Sequence, residues 1–225
     1  SAGDEFITTP RTFLATSTAG IELGAKPVFA DVDKRSGCIS VDTIEPLITK
    51  NTKLISVVHL AGWPADMDKI MNLANSYNLK VVEDCSQAHG ASIKDKSVGV
   101  FGHVSTWSFC QDKIISTGGE GGMVSTDSKK LWDYMWSLKD HGKSWDKVYK
   151  ASHAEGFRWL HESLGSNFRL SNLQSAIGRC QIRKLKNWHK LRKRNAKVLI
   201  ENLKGLSLLR VETPDEEFEH AWYKF

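Results

Sequence analysis

Cysteine is scarce and scattered in this chain. The four, Cys38, Cys85, Cys110 and Cys180, form no CxxC pair. That spacing offers neither a disulfide framework nor a zinc site, and it suits a reduced, cytoplasmic protein. No apolar run approaches the roughly 18 residues a membrane helix needs, so no membrane partner is expected. The opening Ser1-Ala2-Gly3-Asp4-Glu5 lacks the basic and apolar regions of a secretory signal. There is no Gly-x-Gly-x-x-Gly after a strand pattern, no phosphate-loop Gly-x-x-x-x-Gly-Lys-[Ser/Thr] and no His-Glu-x-x-His. These absences weigh against dinucleotide-binding, nucleotide-hydrolysing and zinc-hydrolase classes. No repeat or low-complexity tract interrupts the chain.

What remains is an ordinary globular composition, 40% apolar and 25% charged over 225 residues. That length builds one large domain or somewhat more. The net charge of +5 is unevenly spread, and most of it lies in Arg183 to Lys197, RKLKNWHKLRKRNAK. A nucleic-acid module would carry such a stretch. Within it, however, Leu185, Trp188, Leu191 and Val198 recur at helical spacing. The basic residues then form the wet face of an amphipathic helix, and no nucleic-acid partner is expected.

The chain alternates strand and helix signals at parallel βαβ spacing, which predicts an α/β fold. Strands are expected at Phe6 to Thr8, Pro27 to Asp33, Leu54 to His59 and Lys80 to Glu83. Helices are expected from a Thr12 cap to about Leu23, from an Asp42 cap through Ile48, and from an Asp66 cap to about Tyr77. Gly24 and Asn78 suit C-terminal caps. Val104 to Phe109 and Gly122 to Thr126 read as strands bracketing a turn. Ser128 caps a helix to Lys139. Residues 140–166 form a long loop rich in His and Trp, and long ordered loops are often functional. Ser171 caps a helix through Leu185, another follows to Leu203, and Leu206 to Val211 reads as a strand. A domain boundary is expected near 185–205.

The chemistry concentrates in two segments. Val81-Val82-Glu83-Asp84-Cys85-Ser86-Gln87-Ala88-His89-Gly90 places Asp84 at the carboxyl end of a strand, where ligands gather in open α/β sheets. Trp107-Ser108-Phe109-Cys110-Gln111-Asp112-Lys113 leads into Ile114-Ile115-Ser116-Thr117-Gly118-Gly119-Glu120-Gly121-Gly122, whose glycines permit positive φ and close backbone approach. Taken singly, Asp84 is a cap or ion pair and Lys113 a solvated turn residue. Together they suit pyridoxal phosphate. A lysine amine forms a Schiff base with the aldehyde, and an acid keeps the pyridinium nitrogen protonated. Gln87 is placed to hydrogen-bond the same ligand, and Ser108 to bind phosphate through its hydroxyl. His59, His89 and His141 are expected to be satisfied core or loop residues.

These segments, with Gly3-Asp4-Glu5-Phe6-Ile7, Thr12-Phe13-Leu14-Ala15-Thr16, Gly24-Ala25-Lys26-Pro27-Val28-Phe29-Ala30-Asp31-Val32-Asp33, Val58-His59-Leu60-Ala61-Gly62-Trp63-Pro64-Ala65-Asp66-Met67, and Gly165-Ser166-Asn167-Phe168-Arg169-Leu170 followed by Gln174-Ser175-Ala176-Ile177-Gly178, resemble the DegT/StrS family of sugar aminotransferases. The resemblance runs through nearly the whole chain. It implies a fold-type-I pyridoxal-phosphate transferase large domain, with a mainly parallel seven-stranded-type sheet, here incomplete, flanked by helices. Residues 1–185 would be the central part of that domain, lacking the N-terminal phosphate-turn region. Residues 186–225 would be a linking helix and the truncated start of a small C-terminal α+β domain. A fragment without the phosphate turn is expected to bind the cofactor weakly and turn over poorly, because helix N-terminal amides are a strong phosphate anchor.

By position the resemblance implies that Lys113 bonds the cofactor aldehyde and moves the proton. Asp84 pairs with the ring nitrogen and Gln87 supports the ring hydroxyl side. Phe13 stacks on the ring face and Ser108 binds the phosphate. Asn167 reaches the phosphate in a partner subunit, since the family's active sites are shared across a homodimer. No metal is implied. The family's sugar dehydratases carry histidine at the lysine position, so Lys113 favours transamination. The implied reaction moves an amino group from glutamate, leaving 2-oxoglutarate, to a keto group of a nucleotide-linked deoxysugar, for polysaccharide, glycan or antibiotic synthesis. A cyclitol aminotransferase or sugar dehydratase is the same-family alternative, and a non-catalytic sugar-nucleotide sensor the alternative from another class. Cys110-Gln111-Asp112 and Trp63 depart from the commoner family residues and are expected to tune the sugar pocket. The aromatic and basic residues of the 140–166 loop, including Trp145, Tyr149, His153, Phe157, Arg158, Trp159 and His161, are expected to help choose the substrate.

Overall fold

Alternating strand faces build the core. In β1 (Glu5–Thr8) all four residues are buried, because Phe6 and Ile7 point to opposite sides of the sheet. The structure, a computed structural model, describes residues 2–153, 155–156, 158 and 160–225. After β1 come α1 (Ala15–Glu22), β2 (Lys26–Phe29), α2 (Val41–Ile44), β3 (Thr52–Val58), α3 (Met67–Ser76) and β4 (Lys80–Asp84). Two short strands follow, β5 (Ser92–Ile93) and β6 (Lys96–Ser97), then β7 (Val104–Ser108) and β8 (Gly122–Ser125). Helices α4 (Lys129–Lys139), α5 (Trp145–Tyr149), α6 (Asn172–Ile182) and α7 (Leu185–Leu203) precede a last strand, β9 (Phe218–Glu219).

The main sheet has six strands in the order β2-β1-β3-β4-β7-β8. The first five run parallel, and β8 returns antiparallel to β7. The order reverses at β1, the kind of switch point beside which α/β proteins bind ligands. Ile7, Ile55, Val57 and Val81 on the strands pack with Ile44 of α2 and Met67, Ile70 and Ala74 of α3. On the other face α1 comes so close that a Cβ at Gly20 would lie 2.4 Å from the Phe6 ring. Apolar β3 and β4, buried by helices, match a parallel sheet covered on both sides.

Several caps follow the sequence. Asp66 accepts from the Lys69 N–H at 3.2 Å, and Ser128 from that of Leu131 at 3.3 Å. Ser171 and Gln174 form a reciprocal capping box. Gly24 and Asn78 both take positive φ at helix ends. Other expectations are corrected. Thr12 does not cap α1, which starts from Leu14; its hydroxyl meets that of Thr16 instead, at 3.0 Å. Ser40, not Asp42, precedes α2, and its N–H donates to Thr43 Oγ1. β2 ends at Phe29 because Asp33 turns the chain, accepting from the N–H groups of Arg35 and Ser36. Leu206 to Val211 is no strand. Gly205 turns there with φ +90°, and Leu208 stays 96% exposed, with no sheet edge to pair with.

The segment after Leu203 folds back on the sheet's carboxyl edge. β9 pairs antiparallel with β5, completing a three-stranded sheet with β6. Helix α7 holds it there less by its apolar stripe than by polar side chains, since Leu191 and Val198 remain exposed. His189 Nε2 lies 2.9 Å from the His220 carbonyl, Arg192 donates to the Trp222 carbonyl, and Lys193 pairs with Glu219. The facing segment offers carbonyls and a carboxylate, which explains why polar groups make the join. Within the loop expected at 140–166, α5 packs Trp145 on Trp132, Trp136 and Tyr149; Phe157 and Trp159 lie outside the described residues. No described helix is long and apolar enough to cross a membrane.

Candidate active site

The carboxyl ends of β1, β4 and β7 converge on one edge of the sheet. Asp84 ends β4 opposite Val58 of β3 and Thr106 of β7. Its neighbour Glu83 points the other way and is fully buried. Glu83 Oε2 accepts from His59 Nε2 at 3.1 Å and the Gly99 N–H at 2.8 Å, and Oε1 from the N–H groups of Phe101 and Gly102. The Ala65 N–H donates to His59 Nδ1, so the imidazole carries its proton on Nε2. Burial alone would raise the Glu83 pKa. The bonds from His59, Gly102 and Gly99 outweigh it and hold the carboxyl below its usual range. Cys85 lies within ligand distance of this pair. Burial pushes its thiol pKa up, and the Glu83 lone pairs and both His59 ring nitrogens are committed to hydrogen bonds, so the trio pins the strand end. His59 is thus the satisfied core residue expected.

That pin aims Asp84 outward. Asp84 is half-buried; Oδ2 accepts from the Thr16 hydroxyl at 2.8 Å and Oδ1 from the Ser86 N–H at 3.1 Å. Thr16 in turn lies on the first turn of α1, three residues after Phe13, so the loop after β1 joins the loop after β4. Phe13 is 72% exposed. Gln87 Oε1 accepts from the Ala61 N–H at 2.7 Å, which orients the amide; its NH2 has no acceptor among the described residues. Ser108 ends β7; its Oγ accepts from the Cys110 N–H at 3.3 Å, and its own proton has no acceptor among the described residues.

Lys113 sits in the loop between β7 and β8. Ile114 and Ile115 are buried and anchor that loop; Ile114 packs with Cys85, Ala88, Ala221 and Tyr223. Gly118 and Gly119 take positive φ, and a Cβ at Gly121 would lie 2.2 Å from Thr117 Oγ1. The Lys113 side chain is only 13% exposed. Its Nζ lies 3.4 Å from the Tyr223 hydroxyl and 3.5 Å from Asp112 Oδ1. Tyr223 donates to Asp112 Oδ2 at 2.5 Å. Burial alone would lower the lysine pKa. The hydrogen bond with Tyr223 and the charge of Asp112 overcome it and hold the amine above its ordinary value.

His89 differs from expectation. It is 2% exposed, and among the described residues neither ring nitrogen has a partner in hydrogen-bond geometry, although the Ser108 backbone lies near the ring. Its ring lies between Trp107 and Phe109, with centroids 5.4 and 5.9 Å away. Burial, with the nearby charge of Lys113, pushes its pKa down to about 4, so the ring is neutral near pH 7. His141 is an exposed loop residue whose carbonyl faces His161 Nδ1.

The fold therefore brings Asp84, Gln87, Ser108 and Lys113 to one edge. Phe13 stands at its margin through Thr16. Asn167 stands apart, bridged to Asp140 beyond α4 and accepting from the Arg169 N–H. Trp63 faces the core side, edge-on to His220 with Arg35 over its ring. Asp112 is held by Tyr223. The sequence pointed to Asp112 only as a residue tuning the sugar pocket, not as a partner of Lys113, and gave no role to Thr16 or Tyr223. A hydroxyl one helical turn from Phe13 and an acid adjoining Lys113 were visible signals; nothing local pointed to Tyr223, 110 residues from Lys113.

A lysine amine, a carboxylate, and an amide NH2 and a hydroxyl with no acceptor among the described residues, all on one edge, match the donor and acceptor set of pyridoxal phosphate. Comparison with known proteins points the same way. A UDP-N-acetyl-3-dehydro-alpha-D-glucosamine 3-aminotransferase of Acidithiobacillus ferrooxidans is 40% identical over 223 residues, 99% of this chain and 57% of that protein. An aminotransferase of Psychrobacter cryohalolentis, solved by X-ray diffraction, superposes with a TM-score of 0.97 at 48% identity, over 99% of this chain and 58% of that one. S. venezuelae DesV, solved in complex with a ketimine intermediate, superposes with a TM-score of 0.87 at 31% identity, over 99% and 57%. The chain thus spans less than three-fifths of the length of these relatives. A family model matches residues 1–225 throughout, and the chain belongs to the DegT/DnrJ/EryC1/StrS aminotransferase family.

Proposed function

We propose that this chain carries the cofactor site of a pyridoxal-phosphate-dependent aminotransferase. In this reading the enzyme moves an amino group from glutamate to a keto group of a nucleotide-linked sugar. The observation that carries the reading is the largely buried Lys113 amine on the same sheet edge as Asp84. Bound there, pyridoxal phosphate would supply an aldehyde for the lysine and a ring that stabilises negative charge at the substrate carbon.

The chain's own residues divide the work. Asp84, oriented by Thr16 and the Ser86 N–H, would accept a hydrogen bond from the ring nitrogen and keep that nitrogen protonated. Gln87 donates its amide NH2 to the ring hydroxyl side, and Ser108 donates its hydroxyl to phosphate. Phe13 covers one ring face. His89, neutral and flanked by Trp107 and Phe109, lines the floor without adding charge. Lys113, when free, takes a proton from one carbon and returns it to another. Asn167 touches none of these groups among the described residues, which favours a site completed across a homodimer. The aminotransferase of Acidithiobacillus ferrooxidans, whose name specifies a keto sugar nucleotide, supports that substrate class. The four free cysteines favour a reducing, cytoplasmic location.

Borohydride reduction of the protein with pyridoxal phosphate, followed by peptide mapping, tests the reading. The label is expected on Lys113 and absent from Lys113→Ala, and amino transfer is expected to fall at least 1,000-fold in that variant, on the order of other covalent-catalyst deletions. A label elsewhere, or unchanged turnover in the variant, sinks it.

A further inference from the structure

We infer that Tyr223 is a positioning residue for Lys113: anchored on Asp112, its hydroxyl holds the lysine amine in place whenever that amine is free. This rests on the reading of Lys113 as the cofactor lysine and adds a residue from the far end of the chain.

The geometry is a closed triangle. Tyr223 donates to Asp112 Oδ2 at 2.5 Å, so its remaining lone pairs face Lys113 Nζ at 3.4 Å. Nζ also lies 3.5 Å from Asp112 Oδ1 and 5.1 Å from the centre of the Tyr223 ring. The ammonium thus meets a hydroxyl oxygen and a carboxylate, two groups that favour its charged form. Tyr223 is itself fixed. It is 9% exposed and packs with Ile114, Cys85 and Ala221, and its backbone N–H donates to the Ala61 carbonyl at 3.1 Å. Ala61 is the residue whose N–H holds Gln87, so one turn orients both Gln87 and the tyrosine.

Among the described residues, the other titratable group that interacts with the amine is neutral. His89, from the loop after β4, is uncharged at neutral pH. Lys224, on the same segment as Tyr223, has its amine 5.3 Å from the Tyr223 ring centre. Asp112 and Tyr223 therefore provide the named contacts holding the proton on Lys113. A free lysine with three rotatable donors on a four-carbon stem sweeps a wide volume. The triangle confines it beside the site between one bonding event and the next.

The test is competitive labelling of the cofactor-free full-length protein with an amine-reactive acetylating reagent across pH, read at Lys113 by peptide mass spectrometry. Tyr223→Phe keeps the ring and removes the hydroxyl; Asp112→Asn keeps the shape and removes the charge. Both are expected to shift the Lys113 inflection to lower pH by roughly one unit and to lower kcat with little change in KM. Both variants must retain the wild-type near-ultraviolet circular dichroism, and if Tyr223→Phe does not, Asp112→Asn decides. An unmoved inflection in both overturns the inference, and a shift in Tyr223→Phe alone overturns the anchoring by Asp112. Because labelling needs no cofactor, its outcome is separate from the borohydride test: a failure there would remove the cofactor reading while leaving the triangle measured.

Discussion

Two adjacent acids, Glu83 and Asp84, divide into opposite roles because successive side chains of a strand point to opposite faces. Glu83 is spent inside on four hydrogen bonds; Asp84 faces the site with one oxygen on Thr16. At this scale Thr16 makes a clean prediction. Thr16→Val keeps the volume and removes the hydroxyl bonded to a carboxylate, a contact worth about 1.5 kcal/mol. Amino transfer is expected to fall about tenfold, with folding retained, read as kcat/KM on the full-length protein. A variant with wild-type kcat/KM would show that Asp84 needs no orientation from α1. Asp84, Lys113, Gln87 and Ser108 were legible as candidates in the sequence because each lies at or follows a strand end whose apolar run marks it. His89 was legible only as a histidine. Its lack of partners follows from Trp107 and Phe109 closing over it.

At the scale of elements, the ends of β4 and β7 carry the candidate site, and the network around Glu83 ties β4 to the turn before β7. Glu83→Gln replaces one acceptor oxygen by an NH2 that must face a backbone N–H, either of Gly99 or of Phe101 and Gly102. Breaking a buried charged network of this kind costs about 3 kcal/mol. The expected result is a lower urea midpoint with an unchanged denaturant slope. A midpoint within error of wild type would mean the network relaxes around the amide. The caps at Asp66, Ser128 and Ser171 were readable because they are local chemistry. The strand assigned to Leu206 to Val211 was not real, because alternation marks a side-chain pattern and only a free sheet edge turns it into a strand. The short β5, β6 and β9 carry too few residues for a period to register.

For the whole molecule, buried neutral histidines set a pH dependence. Burial, aided for His89 by Lys113 and for His220 by His189, lowers both pKa values to about 4. In the unfolded chain they titrate near 6.5, so unfolding takes up protons below that pH. Their stabilising effect is complete above pH 6.5 and is lost as pH falls toward 4, by about 3 kcal/mol for each histidine. Glu83, whose folded pKa is depressed, extends the loss below its unfolded value of 4.5. Urea unfolding at pH 7.5, 6 and 5 is expected to show stability falling at each step, with a shallower fall in His89→Gln. Stability flat from pH 7.5 to 5 would contradict the burial of these rings.

The order of apolar strands, capped helices, paired acids and a glycine-flanked lysine was enough to specify a parallel α/β sheet and a candidate cofactor edge. Those features act over a few residues, where periodicity and capping chemistry are written directly in the chain. The joining of Tyr223 to Lys113 and Asp112, the isolation of His89 and the turning of Trp63 toward the core were decided in the tertiary structure. Each depends on which surfaces meet after the chain has crossed the sheet and α7 has brought residues 218–223 back to its carboxyl edge, a long-range packing outcome with no local period to announce it.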